Sequence, residues 1–444
     1  MFIEEIIKAT NGKLIKGHLH NEIKQISQDT RVCQNGDMYV AIQGVRDGHD
    51  FINQVEGIVK AVLVSQDVNT SIENVIYVED TLKALGDIAS YIREKSKVKV
   101  VGVTGSVGKT STKDMIYSVV STKYKTLKTL GNFNNHLGLP LTILRYQDED
   151  VMILEMGMNH LGEISYLTNI AKPDIAVITN VGTAHIGELG SRENILKAKM
   201  EIVEGLNDEG MLIVNGDNDM LSQVSYHNMK KVGIECVSDL NIKDVQLNET
   251  NSTFTLTYFD KDYEVFVPTS GAHFVLNALI AIEVGLLLDI SITDCIEGIR
   301  AFKLTKNRND VIHVDNNITI IDGTYNANLD SMKSGIDVLS QYESRKIAVL
   351  ADMLELGEYE ERLHREVGKY LIEKKIDMLV CVGNATKYIY DETKDSMISY
   401  HFDSNQEVEE FLLKALKEND IVLMKGSNSM KLKEVVEYIK ENVK

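Results

Sequence analysis

Between Lys97 and Thr112 the chain reads KVKVVGVTGSVGKTST: an apolar β-branched run, a glycine-punctuated turn, then a helix-like stretch. A strand, a loop of unpaired backbone N–H groups and a helix N-terminus together form a cradle for polyphosphate. Thr104, Gly105, Ser106, Val107, Gly108 and Ser111 supply the cradle. Lys109 can reach the outer phosphates, and the Thr110 hydroxyl can bind the accompanying magnesium. Gly105 and Gly108 bracket only two residues, so the loop has the T-G-x-x-G-K-T form rather than the common G-x-x-x-x-G-K-T. The bland alternative is a tight turn with an incidental lysine, and the agreement of strand, glycines, Lys and Thr weighs against it.

In open α/β sheets ligands gather at the carboxyl ends of strands, and three further residues fall there. Glu155 ends the buried run VMILEMG; it is either a magnesium ligand or a surface glutamate at a strand end. His185 follows DIAVITNV; alone it reads as a satisfied structural histidine, and its place beside the other strand ends favours a site role. The helix ENILKAKMEIVEGL offers two lysines. Lys199 shares a face with Ile195, Ile202 and Val203, so it is expected on the packed side. Lys197 lies opposite Glu201 and Glu204 and is expected to be their solvated ion-pair partner.

The elements that must position these groups fall into three segments. Residues 1–96 hold short strands (MYVAIQG, KAVLVS, NVIYVED) and a closing helix, TLKALGDIASYIREKS. Residues 97–302 alternate apolar strands with helices, the signature of a parallel sheet covered on both faces, and end in two apolar-periodic helices. Residues 303–444 repeat the style in ITIIDG, KIAVLAD, DMLVCVG and DIVLMKG, each followed by a helix. The fold class is therefore α/β in three domains, as 444 residues also suggest. A net charge of −19 argues against a nucleic-acid partner, though not against a nucleotide in a locally positive pocket. No apolar run reaches the ~20 residues of a membrane span, and MFIEEIIKAT lacks a signal peptide's features, so a cytoplasmic protein without membrane insertion is expected. Four scattered cysteines read as reduced thiols.

With those residues in view, the chain resembles the Mur ligases, the ATP-dependent amide-forming enzymes of peptidoglycan synthesis, over essentially its whole length. The resemblance rests on TGSVGKT, on Asn134, Asn135 and Gly138 in FNNHLGLPLT, on Glu155 in EMGMNHLGEI, on His185, and on Lys199 in KAKMEI. It implies a small N-terminal substrate domain, a central P-loop ATPase domain and a Rossmann-like C-terminal domain, working as a monomer. It also implies one magnesium on Thr110 and Glu155, and a second on His185 and a carbamylated Lys199. Within the family, IDGTYNANLDSM and LADMLELG are most similar to members that add D-alanyl-D-alanine to UDP-N-acetylmuramoyl-tripeptide. The alternatives are a sibling adding the third-position amino acid, or a non-catalytic Mur-like nucleotide-binding protein. Against the first, the Y-A-H-T-P-like run and D-N-P-R motif of those siblings are missing; against the second, Lys109, Glu155 and His185 are all present.

The same resemblance assigns further roles. Asp29, Thr30 and Arg31, with Arg46, Asp47, Gly48 and His49, look like the uridine-nucleotide end of the site. Asn134 and Asn135 would position substrate or phosphate, and Lys425 and Ser427 would contact substrate. Asp322 and Asn326 would meet adenosine or ribose, and Arg308 the phosphates; Asn326 and Asn328 would alternatively orient the dipeptide. Asn277, with His273, would either touch the nucleotide or serve capping and packing. Two departures stand out. Leu329 replaces the usual proline of Y-N-A-N-P, which should loosen the turn, and Asn428 replaces the arginine of K-G-S-R, removing a bidentate anion ligand that Lys431 or Lys433 would have to replace.

Overall fold

A computed structural model describes residues 1–238, 240–304 and 310–443. Arg308 lies outside the described residues. Four sheets organise the rest.

The first has five strands in the order Lys13–Lys16, Asn74–Tyr77, Ala61–Val64, Met38–Val40, Ile26–Ser27, parallel except for the antiparallel edge at Lys13–Lys16. Helix Thr81–Lys95 packs on it and carries the N-terminal segment to the next sheet. There Arg93 donates to the carbonyls of Ala171 (2.8 Å) and Lys172 (2.8 Å) and pairs with Asp174 (3.1 Å), capping the end of helix Glu163–Ala171. A guanidinium spent on helix-terminal carbonyls and a carboxylate is fully partnered where it is buried.

The central sheet has six parallel strands: Met229–Val232, Met211–Asn215, Ile175–Ile178, Lys99–Thr104, Val151–Glu155, Thr126–Lys128. Its four inner strands read as nearly unbroken apolar runs because both faces are covered, while the edge strands MKKV and TLK do not. Val101, Val103, Ile153, Val177 and Ile213 pack toward helices Lys109–Val120, Ala272–Leu287 and Ile292–Arg300. The alternate positions Val100, Met152, Leu154, Ala176, Leu212 and Val214 pack toward helices Glu163–Ala171 and Arg192–Met200.

A three-stranded antiparallel sheet, Asn241–Leu247, Ser252–Tyr258 and Lys261–Val267, interrupts the expected alternation. Its second hairpin turns through Phe259 and Asp260, both at positive φ, and its inner residues Phe254, Leu256, Val265 and Val267 join the central core. The last sheet runs Asp310–Val314, Ile318–Asp322, Ile421–Lys425, Lys346–Ala351, Met378–Val382, Ile398–Phe402. It is parallel except for its antiparallel first strand.

The central and C-terminal layers share one apolar core. Ile186, Leu189 and Ile195 belong to the same buried cluster as Met353, Leu356 and Leu363. One expectation is corrected at helix Arg192–Met200, which tightens into a 3₁₀ turn over Glu201–Glu204. Glu201 then accepts from the Gly162 and Ser165 N–H groups (2.8 and 3.1 Å), and Glu204 from the Ser165 hydroxyl, so both serve the start of helix Glu163–Ala171 rather than Lys197.

Candidate active site

The phosphate loop leaves strand Lys99–Thr104 in the middle of the central sheet and enters helix Lys109–Val120. Gly105 has φ 152° and a Cβ there would stand 1.9 Å from Thr179 Oγ1, so the position tolerates only glycine. The neighbouring strand end moulds the loop. Thr179 donates to the Val107 carbonyl (2.6 Å), while Asn180 accepts from the Ser106 N–H through its own carbonyl (3.0 Å) and from the Val107 N–H through its side chain (2.8 Å). Lys109 folds over the loop and donates to the Gly105 carbonyl at 2.7 Å. Thr179 and Asn180 were not singled out from sequence; their position one strand over, at a carboxyl end, was the available signal.

Glu155 is 2% exposed and ends the adjacent strand. Its carboxylate accepts from Thr110 Oγ1 (2.9 Å) and Asn134 Nδ2 (2.9 Å), and its N–H donates to Thr129 Oγ1 (3.0 Å). Lys113, also buried, stands 4.0 Å from Glu155 and 3.1 Å from Asp114, and donates to the Thr129 carbonyl (2.9 Å). That cation offsets the cost of burying two carboxylates, a role sequence reading missed. Thr110 and Glu155 present hard oxygens to one point, as magnesium requires when phosphates and water complete its shell. Among the described residues no group of three or more His, Cys, Asp or Glu could hold a metal by itself.

His185 sits at φ 62° just before the short helix Ile186–Leu189. Its Nδ1 lies 2.7 Å from Glu355 Oε2, close enough for strong electrostatic attraction but out of line with the ring N–H. Burial lowers its pKa, Glu355 opposes that, and the Lys109 and Lys199 charges push the same way as burial. Lys199 is 1% exposed, and burial with the Lys109 charge drives its pKa well below the ordinary lysine value. Burial thus favours loss of the proton and so nucleophilicity, and an ammonium there would repel a cation, so His185 and Lys199 suit a second metal only if the lysine is converted to an anion.

A cavity of about 720 Å³ unites the phosphate loop, Asn134, Asn135, Glu155, His185 and Asn277 with Tyr325, Asn326, Asn328 and Lys425 from the C-terminal sheet. Asn277 accepts from Thr112 Oγ1 (2.9 Å), and its Nδ2 is buried without a partner, an unspent donor beside the loop. Its helix-mate His273 instead meets Ser334 Oγ at 2.9 Å across the domain boundary. Asn135 caps the helix Gly138–Ile143, accepting from the Leu137 and Gly138 N–H groups (3.2 and 2.9 Å).

Other expected ligands are spent within the protein. Asp322 lies off the cavity wall and accepts both the N–H and the hydroxyl of Thr324 (3.0 and 2.6 Å). Asn328 caps helix Leu329–Ser340 reciprocally with Ser331, so the missing proline does not loosen the turn; Leu329 is buried as the first helical residue. Lys425 donates to the carbonyls of Gly323 (3.2 Å) and Asn326 (3.0 Å), bracing that turn from beneath. Ser427 Oγ accepts from the Leu354 N–H at 3.0 Å. Asn428 is exposed, and Lys431 and Lys433 do not line the cavity.

None of the N-terminal residues lines the cavity. Asp29 is clamped by Arg31 (2.9 and 2.7 Å), and Thr30 donates to Gln54 (3.1 Å). Gly48 is buttressed against the Ile42 backbone, where a Cβ would meet Ile42 N at 2.6 Å. His49 is corrected to a structural role: Asp47 takes Nδ1 (2.6 Å) and Nε2 accepts from the Ser65 N–H (3.0 Å), so neither ring nitrogen is left for a ligand. Arg46 is exposed, as are its neighbour Val45 and, past His49, Asp50.

Comparison with known proteins gives the following. The family profile described as "Mur ligase middle domain" matches residues 103–285, and that described as "Mur ligase, glutamate ligase domain" matches residues 307–428. The chain is 39% identical over 452 residues to the UDP-N-acetylmuramoyl-tripeptide–D-alanyl-D-alanine ligase of Bacillus subtilis (strain 168), covering 97% of each. It is 32% identical to the Escherichia coli (strain K12) ligase of the same name, over 99% of this chain and 98% of that one. Among solved structures, MurF from Acinetobacter baumannii superposes with a TM-score of 0.92 at 31% identity over 99% of both chains. MurF ligase from Thermotoga maritima in complex with ADP gives 0.85 at 30%, over 95% of this chain and 98% of that one.

Proposed function

The chain belongs to the Mur ligase family, and from that premise we propose that it joins D-alanyl-D-alanine to UDP-N-acetylmuramoyl-tripeptide, consuming ATP and releasing ADP and phosphate. The observation that carries the reading is the single cavity in which the phosphate loop and Glu155 face the Tyr325–Asn328 turn. That turn carries the residues most similar to those of the dipeptide-adding members.

A carboxylate is a poor electrophile and must be activated before an amine can capture it. A tripeptide carboxylate oxygen attacks the γ-phosphorus, and the bond from that phosphorus to the ADP oxygen breaks, giving an acyl phosphate. The dipeptide amine attacks the acyl carbon, the C–O bond to phosphate breaks, and the amine sheds a proton. The first step brings two anions together, so positive charge and alignment dominate it. Lys109 exchanges its loop carbonyls for phosphate oxygens, and the loop N–H groups, held open by Thr179 and Asn180, orient the chain of phosphates. Magnesium, which Thr110 and Glu155 would hold, supplies charge to the outer phosphates when bound. Asn134 keeps Glu155 aimed, and Asn277 offers its unspent donor to the nucleotide. His185 with a carbamylated Lys199 would hold a second magnesium; the burial of the amine, which drives its pKa down, supports this.

The three segments 1–96, 97–302 and 303–444 serve as substrate, ATP and ligase domains in this reading. A monomer is taken as the working unit. No helix among the described residues is long and apolar enough to cross a membrane, which supports the cytoplasmic placement that ATP use favours. The test is ADP release with UDP-N-acetylmuramoyl-tripeptide, comparing D-alanyl-D-alanine, D-alanyl-D-lactate and single amino acids. The reading expects release with the dipeptide and little with single amino acids; the reverse order would replace it with a sibling activity.

A further inference from the structure

We propose that Glu355 is a positioning residue for the ligation reaction: it comes from the C-terminal domain and fixes the imidazole of His185 only while that domain is docked. The inference rests on the reading of His185 as a ligand for the second metal.

The geometry is specific to this residue. Glu355 lies in the loop after strand Lys346–Ala351 and adopts φ 63°, a left-handed backbone that side-chain-bearing residues avoid. Two residues on, Gly357 takes a similar conformation at φ 54° with glycine's freedom. A glutamate held in the disfavoured region points to a use for its side chain. Its backbone is pinned as well: the Glu355 carbonyl accepts from the Gly187 N–H at 3.0 Å, two residues beyond the histidine. Tyr359 adds a bond from its hydroxyl to the Gly190 carbonyl at 2.5 Å. Met353 and Leu356 of this loop are buried in the core that also holds Ile186 and Leu189. The loop backbone that carries the carboxylate is thus docked and well packed, while the Glu355 side chain itself is 55% exposed and reaches His185 Nδ1 from the solvent side.

His185 Nδ1 is buried and has no aligned hydrogen-bond partner, while the residue lines the cavity. With Glu355 on Nδ1, Nε2 is the ring nitrogen left for the cavity. A carboxylate facing the remote nitrogen sets the tautomer and ring orientation of a ligating histidine, and raises its basicity, once the ring N–H turns into line with it. Here the oriented group and the orienting group belong to different domains. Withdrawal of the C-terminal domain would release the imidazole, so the second metal position would be complete only in the closed molecule, with acyl-phosphate chemistry shielded from water.

The experiment uses the full chain, Mn²⁺ as the probe and AMPPNP as the nucleotide. Bound Mn²⁺ is counted by electron paramagnetic resonance, alongside steady-state ADP release. Glu355→Gln keeps the shape and removes the charge; Glu355→Gly removes the side chain and relieves the backbone. Both should weaken the looser class of Mn²⁺ sites about 10- to 100-fold and lower kcat similarly. The KM for ATP should stay within about threefold, and melting temperatures within a few degrees. Both variants retaining wild-type Mn²⁺ binding and kcat would overturn the assignment. So would a normal Glu355→Gln beside an impaired Glu355→Gly, since loop shape alone would then matter. His185→Asn separates the premise from the proposal. If it too leaves Mn²⁺ binding intact, the metal reading of His185 falls; if it alone weakens binding, only the role of Glu355 does.

Discussion

Gly187→Ala perturbs domain docking without touching a proposed ligand. Gly187 lies in the helix Ile186–Leu189 and is not among the glycines with positive φ, so alanine suits its backbone. The added Cβ, however, would stand 2.7 Å from the Glu355 carbonyl oxygen, 2.7 Å from Gly357 N and 2.9 Å from Leu356 C. All three are backbone atoms of the C-terminal domain, so no side chain can swing aside. Relief requires the loop to retreat by roughly half an ångström or more, stretching the 3.0 Å bond from Gly187 N to Glu355 O. Overpacking of this kind costs about 1–3 kcal/mol. Charged against docking, that is roughly a 5- to 150-fold shift toward the undocked form. ADP release with both peptide substrates should fall by that factor. Mg-ADP affinity by calorimetry should change less than about threefold, because the phosphate loop belongs to the central sheet. Small-angle scattering should show a larger radius of gyration. Turnover within twofold of wild type with unchanged scattering would refute the docking argument.

Lys109→Ala should lower turnover about 10³-fold while far-UV circular dichroism stays native, since the lysine's partners are loop carbonyls; near-normal turnover would reject the phosphate-loop assignment. Lys113→Met should destabilise the protein by about 3–5 kcal/mol, because it strips a cation from buried Glu155, while Asp114 keeps Lys128 at 2.8 Å; the melting temperature should drop by about 6–20 °C. His273 is pushed down to about 4 by burial. The unfolded chain takes up that proton near pH 6.5 and the folded one only near 4, so the residue lowers stability progressively as pH falls between those values and not above them. His273→Gln should therefore flatten the melting-temperature profile over pH 6.5 to 4, and a profile parallel to wild type would contradict the burial of this ring.

The parts of the site that were legible in sequence are those encoded locally. The phosphate loop announces itself in consecutive residues, and Glu155 terminates an apolar run that can only be a buried strand. Lys199 was separable from Lys197 because helical phase alone assigns one to the core, although the helix tightens at Glu201 and the expected ion pairs do not form. What escaped is what tertiary packing brings together. Thr179 and Asn180 mould a loop more than 70 residues earlier in the chain, and Glu355 meets a histidine from another domain. Lys113 reads as an ordinary helical lysine until Glu155 arrives beside it. Internal competition was equally hidden: Asp322, Ser427 and His49 are polar residues at strand ends and turns, where backbone N–H groups and nearby hydroxyls engage their side chains. The antiparallel sheet over residues 241–267 escaped as well: STFTLTY alternates, but it lies outside the βα rhythm that dominates the segment.

The account stands on activation of a carboxyl group by phosphoryl transfer within the Gly105–Thr110 pocket. Supplying UDP-N-acetylmuramoyl-tripeptide with ¹⁸O in its terminal carboxylate, together with ATP and D-alanyl-D-alanine, reads that step out in the released phosphate. One ¹⁸O per phosphate, with ADP as the nucleotide product, is the predicted result. Unlabelled phosphate, or AMP and pyrophosphate in its place, would contradict it.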